Sequence, residues 1–272
     1  MKSMAILTDV TLCIGCEECV AACDATYQTG PDAPFKWQND PNDLSSTRWT
    51  TLAEAPNGRF ARLQCRHCLD PACAAACPVG ALARTDEGAV AYDPDICMGC
   101  RYCLVACPFA MTRYEWSSAA PRVRKCLLCY PKLKAGELQQ PACTHACPSG
   151  ATIFGERDGL LAEAKKRIRE KPHVYIDHVW GETEVGGTSV LYISDVDLDA
   201  AGWPSRLGDR ARPLLARKVL HTVPYTFGGV AALMYGVHWT YERRRKVAAA
   251  EGPAPPTDLP EDSSHDTSGE TS

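Results

Sequence analysis

Apolar and polar positions alternate over short segments through most of this chain and take up a helical period in two places. In RDGLLAEAKKRIREK, from Arg157 to Lys171, residues Leu160, Leu161, Ala164 and Ile168 share one face with charges opposite. That pattern predicts a surface helix, stopped by Pro172. Strand-like VYIDHVW and SVLYISDV follow around a Gly186–Gly187 turn, the second with alternating apolar positions. Upstream, Thr47 to Leu52 has strand character, and RTDEGAVAYDPDI predicts a short hairpin turning at Asp86–Gly88. Val219 to Trp239, VLHTVPYTFGGVAALMYGVHW, carries no formal charge and approaches the ~20 residues that span a bilayer. Flanking Arg and Lys, with Trp239 and Tyr241 suited to a headgroup boundary, favour a transmembrane helix over a buried or interfacial one. His221, Pro224, Thr226 and three glycines dilute it.

Charge and composition change this picture little. The 272 residues carry a formal net charge of −4. Glu251, Asp258, Glu261, Asp262, Asp266 and Glu270 all fall in 248–272, which has no Lys or Arg, so the rest of the chain is close to neutral. No basic stripe argues for nucleic acid. The tail itself, rich in Pro, Ser, Thr and acid, reads as disordered. There is no Gly-rich dinucleotide loop between strand and helix, no nucleophile elbow and no carboxylate constellation, so the chain is not expected to be catalytic alone.

The cysteines change the picture most. All 16 fall in four groups of four: Cys13, Cys16, Cys19, Cys23; Cys65, Cys68, Cys73, Cys77; Cys97, Cys100, Cys103, Cys107; and Cys126, Cys129, Cys143, Cys147. The first and third read C-x2-C-x2-C-x3-C, the bacterial ferredoxin run; the second widens one gap to x4 and the fourth to x13. A cubane cluster needs a thiolate at each iron, so four quartets predict four 4Fe–4S clusters. Zinc knuckles rarely add a third and fourth cysteine at these intervals. Disulfide scaffolds are usually short chains that lack a core. Gly15 and Gly99 lie inside the tight loops, where a missing Cβ lets the backbone approach the cluster. Pro78, Pro108 and Pro148 follow the fourth cysteine of three runs, while Asp24 stands there in the first.

In two-cluster ferredoxins the fourth cysteine of each run serves the other cluster. The middle runs are close in sequence and pair as a compact inner module; the outer runs flank it and pair with each other. The expected ligand sets are Cys65, Cys68, Cys73 with Cys107; Cys97, Cys100, Cys103 with Cys77; Cys13, Cys16, Cys19 with Cys147; and Cys126, Cys129, Cys143 with Cys23. The fold expected is α+β: two ferredoxin-like dicluster modules with nested cysteine motifs in pseudo-twofold relation, plus one C-terminal transmembrane helix. Residues 1–64 hold the first motif and an insertion, 65–107 the inner module, and 108–200 the fourth motif, surface helix and strands. Residues 201–218 form a linker, 219–239 the span and 248–272 the tail. Trp37 and Trp49 of the insertion suit either ordinary core or packing against a cluster or partner. Arg122, Arg124 and Lys125, just before Cys126, are either tuning charges or solvated surface. His67 reads as a hydrogen-bond donor near its cluster. His221 and His238 lie about 26 Å apart along a helix and cannot share a haem iron.

CRHCLDPACAAACP, CMGCRYCLVACPF and KCLLC…PACTHACP resemble the four-cluster ferredoxin-type subunits of membrane-bound oxidoreductases. HVYIDHVWGETEVGGTSVLYISDV with the following apolar segment resembles the branch of HybA-type hydrogenase subunits and formate dehydrogenase beta subunits. The resemblance covers about residues 5–245. It implies an electron-transfer subunit between a large molybdopterin- or nickel-iron-type catalytic subunit and a quinone-reactive or cytochrome b membrane subunit. A soluble polyferredoxin, or a reductase subunit running electrons the other way, is the alternative. MKSMAILTDVTLC runs into the first ligands without a signal peptide, the face-value mark of a cytoplasmic protein. Carriage of the folded subunit by a signal-bearing partner favours instead the outer face of the cell (inner) membrane.

Overall fold

The computed structural model describes residues 3–29, 43–116, 118, 121–199 and 201–252. In chain order, β1 (Met4–Asp9) leads to α1 (Glu18–Tyr27), β2 (Thr51–Ala55) and β3 (Arg59–Leu63). Then come α2 (Ala72–Ala75), β4 (Leu82–Arg84), β5 (Val90–Tyr92), α3 (Tyr102–Ala106), β6 (Arg113–Tyr114) and β7 (Val123–Arg124). They are followed by α4 (Tyr130–Lys134), α5 (Ala142–His145), β8 (Thr152–Glu156), α6 (Arg157–Glu170), β9 (Val190–Ile193) and α7 (Arg212–Glu251). A first unit ends at Arg217 and a second begins at Lys218, within α7.

In the first unit β1 is the middle of a three-stranded sheet, antiparallel to β8 and parallel to β9. The period of two sorts its side chains. Ala5 and Leu7 join Leu191 and Ile193 against Leu160, Ala164 and Ile168 of α6, while Ile6 joins Val190 and Tyr192 in the core on the other face. Both faces are covered, which is why β9 is buried throughout. Burying Leu160 and Ile168 contributes about 1.5–3 kcal/mol each. At the end of β1, buried Asp9 accepts from the Thr11 N–H at 3.1 Å and hydroxyl at 2.6 Å, the Tyr175 hydroxyl at 2.8 Å and Arg167 at 3.2 Å. It ties the sheet and α6 to the turn that enters the first cysteine loop.

The expected helix is α6, and the hairpin turning at Asp86–Gly88 is β4–β5. The insertion strand lies slightly later than Thr47–Leu52, as β2, and pairs with β3. VYIDHVW is not a strand: the segment turns, Trp180 bridges Tyr192, and Ile176 donates to the Ser194 carbonyl. Trp49 is core, buried with its indole N–H on the Ser46 carbonyl and its ring 4.9 Å from Tyr27. Trp37 lies outside the described residues.

In the second unit, Val219 to Trp239 is helical as part of α7, which continues through Pro224. Yet no helix among the described residues is long and apolar enough to cross a membrane, so the expected transmembrane helix is not supported. The threonines, histidines, proline and glycines hold its hydropathy down, although Tyr225, Phe227, Leu233, Tyr235 and Trp239 are exposed. Ala248 to Glu251, good helix formers, continue α7. Residues 253–272 lie outside the described residues.

Candidate cluster-binding site

In all four runs a loop carries the first two cysteines and a helix carries the third, with α4 intervening in the fourth run. The third cysteines Cys19, Cys73, Cys103 and Cys143 sit on α1, α2, α3 and α5. The residue two after the first cysteine is left-handed in every run: Gly15 (φ 71°), His67 (48°), Gly99 (72°) and Leu128 (56°). Such a conformation turns backbone N–H groups inward and makes a concavity for an anion. In three runs that N–H reaches the first sulfur, Gly15 to Cys13, His67 to Cys65, and Leu128 to Cys126, the last at 3.4 Å. The two glycines serve the turn and its packing: a Cβ on Gly15 would lie 2.8 Å from the Phe60 ring, and one on Gly99 2.8 Å from the Tyr114 hydroxyl. His67 and Leu128 hold the same conformation against the usual steric penalty.

The thiols line cavities. One is walled by Cys23, Cys126, Cys129 and Cys143 with Tyr27 and Gln64. Another is walled by Cys13, Cys16, Cys19 and Cys147 with Arg62. In the inner module the thiols acting on Cys68 are Cys65, Cys107 and Cys73, and those acting on Cys103 are Cys100, Cys97 and Cys77. Among the described residues no three His, Cys, Asp or Glu side chains close on a single ion. Thiols spread around a cavity suit a cluster, which offers each sulfur its own iron.

Burial pushes several of the thiols up, among them Cys19 and Cys103 to about 11 and Cys73 to about 12. Burial also works against the Cys147 thiolate, but the Ser149 hydroxyl and the backbone N–H groups of Thr152, Ala151 and Ser149 outweigh it and lower its pKa. Four thiolates in so dry a cavity need cationic iron, and the donor set fits an iron–sulfur cluster.

The polar surroundings separate the charges left open by the sequence. Arg122 is exposed, and half-buried Arg124 pairs with Glu115 at 2.5 Å. Lys125 is 3 % exposed; its ammonium donates to the Val90 carbonyl at 2.5 Å and the Cys126 carbonyl at 3.1 Å and acts on Cys65 and Cys73. Lys125→Met should lower the potential of the cluster at Cys65 by about 60 mV, a tenfold change for one electron. A potentiometric titration with all four potentials unchanged rejects that role. His67 Nδ1 accepts from the Val90 N–H at 2.9 Å, which leaves the proton on a buried Nε2 with no partner in the protein. Burial and the Lys125 charge hold this imidazole neutral, well below its usual pKa. His238 is exposed on α7; for His221 only its place in that helix is described.

Three buried groups were not singled out from the sequence. Tyr27 lies beside Cys129, while Arg62 and Gln64 reach the two outer cavities from β3 and its end. The alternation Phe60, Arg62, Gln64 just before Cys65 was the available signal.

Two family models, each described as a 4Fe-4S dicluster domain, match residues 12–82 and 57–157. With the 16 cysteines, two such domains account for four 4Fe–4S clusters. A protein of Nitratidesulfovibrio vulgaris is 39% identical over 262 residues, 92% of this chain and 70% of its own length. Hydrogenase-2 operon protein HybA of Escherichia coli O157:H7 is 35% identical over 260 residues, 81% of this chain and 78% of its own. The formate dehydrogenase-O iron-sulfur subunit of Escherichia coli K12 is 34% identical over 206 residues, 71% of this chain and 67% of its own.

Proposed function

Because the chain belongs to the family of iron–sulfur electron-transfer subunits of hydrogenase and formate dehydrogenase complexes, we propose that it relays electrons along a line of four 4Fe–4S clusters. The clusters supply one-electron redox chemistry when bound. The chain holds them in order, keeps them dry and sets the charge around each.

The ligand sets we assign are Cys13, Cys16, Cys19, Cys147; Cys23, Cys126, Cys129, Cys143; Cys65, Cys68, Cys73, Cys107; and Cys77, Cys97, Cys100, Cys103. The observation that carries the reading is the way each set abuts the next. Cys19 acts on Cys143 of the second set, Cys126 faces Cys65 of the third, and Cys73 faces Cys103 of the fourth. Both ends of this line reach the surface. Cys16 and Ile14 are exposed at one, Cys100, Met98 and Tyr102 at the other. Apolar loops over terminal clusters favour docking of partner subunits, a catalytic one at one end and a quinone-reactive membrane subunit at the other. Placement on the outer face of the membrane belongs to the same reading.

Purification from native membranes tests it. A chain that co-purifies with a larger catalytic subunit and carries about sixteen irons and sixteen labile sulfides supports the relay. A chain found alone in the soluble fraction sinks it in favour of a diffusing polyferredoxin.

A further inference from the structure

The Arg62 side chain is buried, at 1 % exposure, and none of its three guanidinium nitrogens has a hydrogen-bond partner in the protein. Buried polar groups are seldom left so, and an arginine cannot escape by losing its proton. The groups acting on it include the thiols of Cys143, Cys19 and Cys126 and the Tyr192 phenol; no carboxylate is among its strongest partners. Its side chain lines the cavity of Cys13, Cys16, Cys19 and Cys147, and it also acts on Cys129 across the module. Two positions on, Gln64 lines the other outer cavity with both amide atoms unpartnered.

We infer that Arg62 is a permanent cation shared by the two outer clusters, its free N–H groups available to the one whose cavity it lines, and that it raises the reduction potentials of both. The inference rests on the ligand sets proposed above. Each cluster takes up one electron on reduction, adding negative charge beside a fixed positive one in a dry site, and the reduced form gains more. In the inner module, buried Lys125 acts on Cys65 and Cys73, and buried Arg66 acts on Cys65 as well. Arg62 comes from the β2–β3 insertion and not from a cysteine loop, which frees it to stand between two clusters.

The test is an EPR-monitored potentiometric titration of the purified full chain or its complex. Cys19→Ser with Cys147→Ser, and Cys129→Ser with Cys23→Ser, first identify the two outer signals, each pair expected to remove the same one; a failure of the ligand sets appears at that step, before Arg62 is altered. Arg62→Gln should then keep about sixteen irons and lower both outer potentials by at least a tenfold change in the one-electron equilibrium, about 59 mV. The inner two should stay in place, and Arg62→Lys should bring the outer pair back towards wild type. Outer potentials unmoved, or all four shifted alike, overturn the inference. If Arg62→Gln loses iron, the lysine variant decides. Full iron with near-native outer potentials supports the shared cation; loss of iron, or lowered outer potentials, refutes it.

Discussion

Replacing Cys77 with alanine is expected to remove the four-iron signal of the cluster held by Cys97, Cys100 and Cys103, and to leave that of Cys65, Cys68 and Cys73. Cys77 follows α2 and belongs in sequence to the second run. The thiols that act on Cys103 are nonetheless Cys100, Cys97 and Cys77, whereas Cys68 answers to Cys65, Cys107 and Cys73. A cubane deprived of one of four thiolates loses an iron or fails to assemble, so the effect is close to all or none. EPR of the reduced variant, with iron analysis, checks it. If the signal lost is the one at Cys65, the crossed ligand sets are wrong and each run wraps its own cluster.

The largest loss of stability outside the cysteines is expected from Asp9→Ala. Asp9 is 1 % exposed, and its carboxylate accepts from Thr11, Tyr175 and Arg167. Removing it strands a phenol and a backbone N–H at once and takes from Arg167 one of its two carboxylate partners, Glu163 at 2.8 Å being the other. Arg167 is a quarter exposed and recovers part of its solvation. The net cost is about 3 kcal/mol, which for a chain of this size lowers the unfolding temperature by about 6–12 °C. The turn to Cys13 loosens with it, so iron should leave the cluster at Cys13 first on heating. A shift under about 2 °C counts against this network.

The cluster count was legible because thiolate spacing is dictated by a ligand of fixed size, and evenly repeated gaps survive whatever fold surrounds them. Helix α6 was legible for a related reason, since a one-sided apolar stripe has few other uses. VYIDHVW failed as a strand although its residues favour one, because backbone partners come from elsewhere in the chain: β9 already pairs with β1, leaving Trp180 a single bridge. The last helix failed in a different way, its apolar residues being real but too diluted for a span. Arg62, Gln64 and the left-handed His67 and Leu128 stayed hidden because nothing in their own identity announces the cavity or turn they serve. Lys125 was visible as a charge, and only its burial decided between surface and interior.

Strand β1 pairs with β8 from Met4↔Glu156 to Thr8↔Thr152, and the inner module lies wholly within the chain between them. A ribosome delivering this polypeptide N-terminus first exposes Cys13, Cys16 and Cys19 long before Cys147 exists to complete their set. The inner cysteines, near one another in sequence, are ready sooner. On the ligand sets proposed, maturation therefore runs from the inside outward, and the first-made thiols wait longest for iron. That interval is when they are open to oxidation, and a contact of such long range is also slow to form. Shielding the nascent N-terminus until the last run has been synthesised is thus a demand that this topology places on whatever machinery loads the clusters.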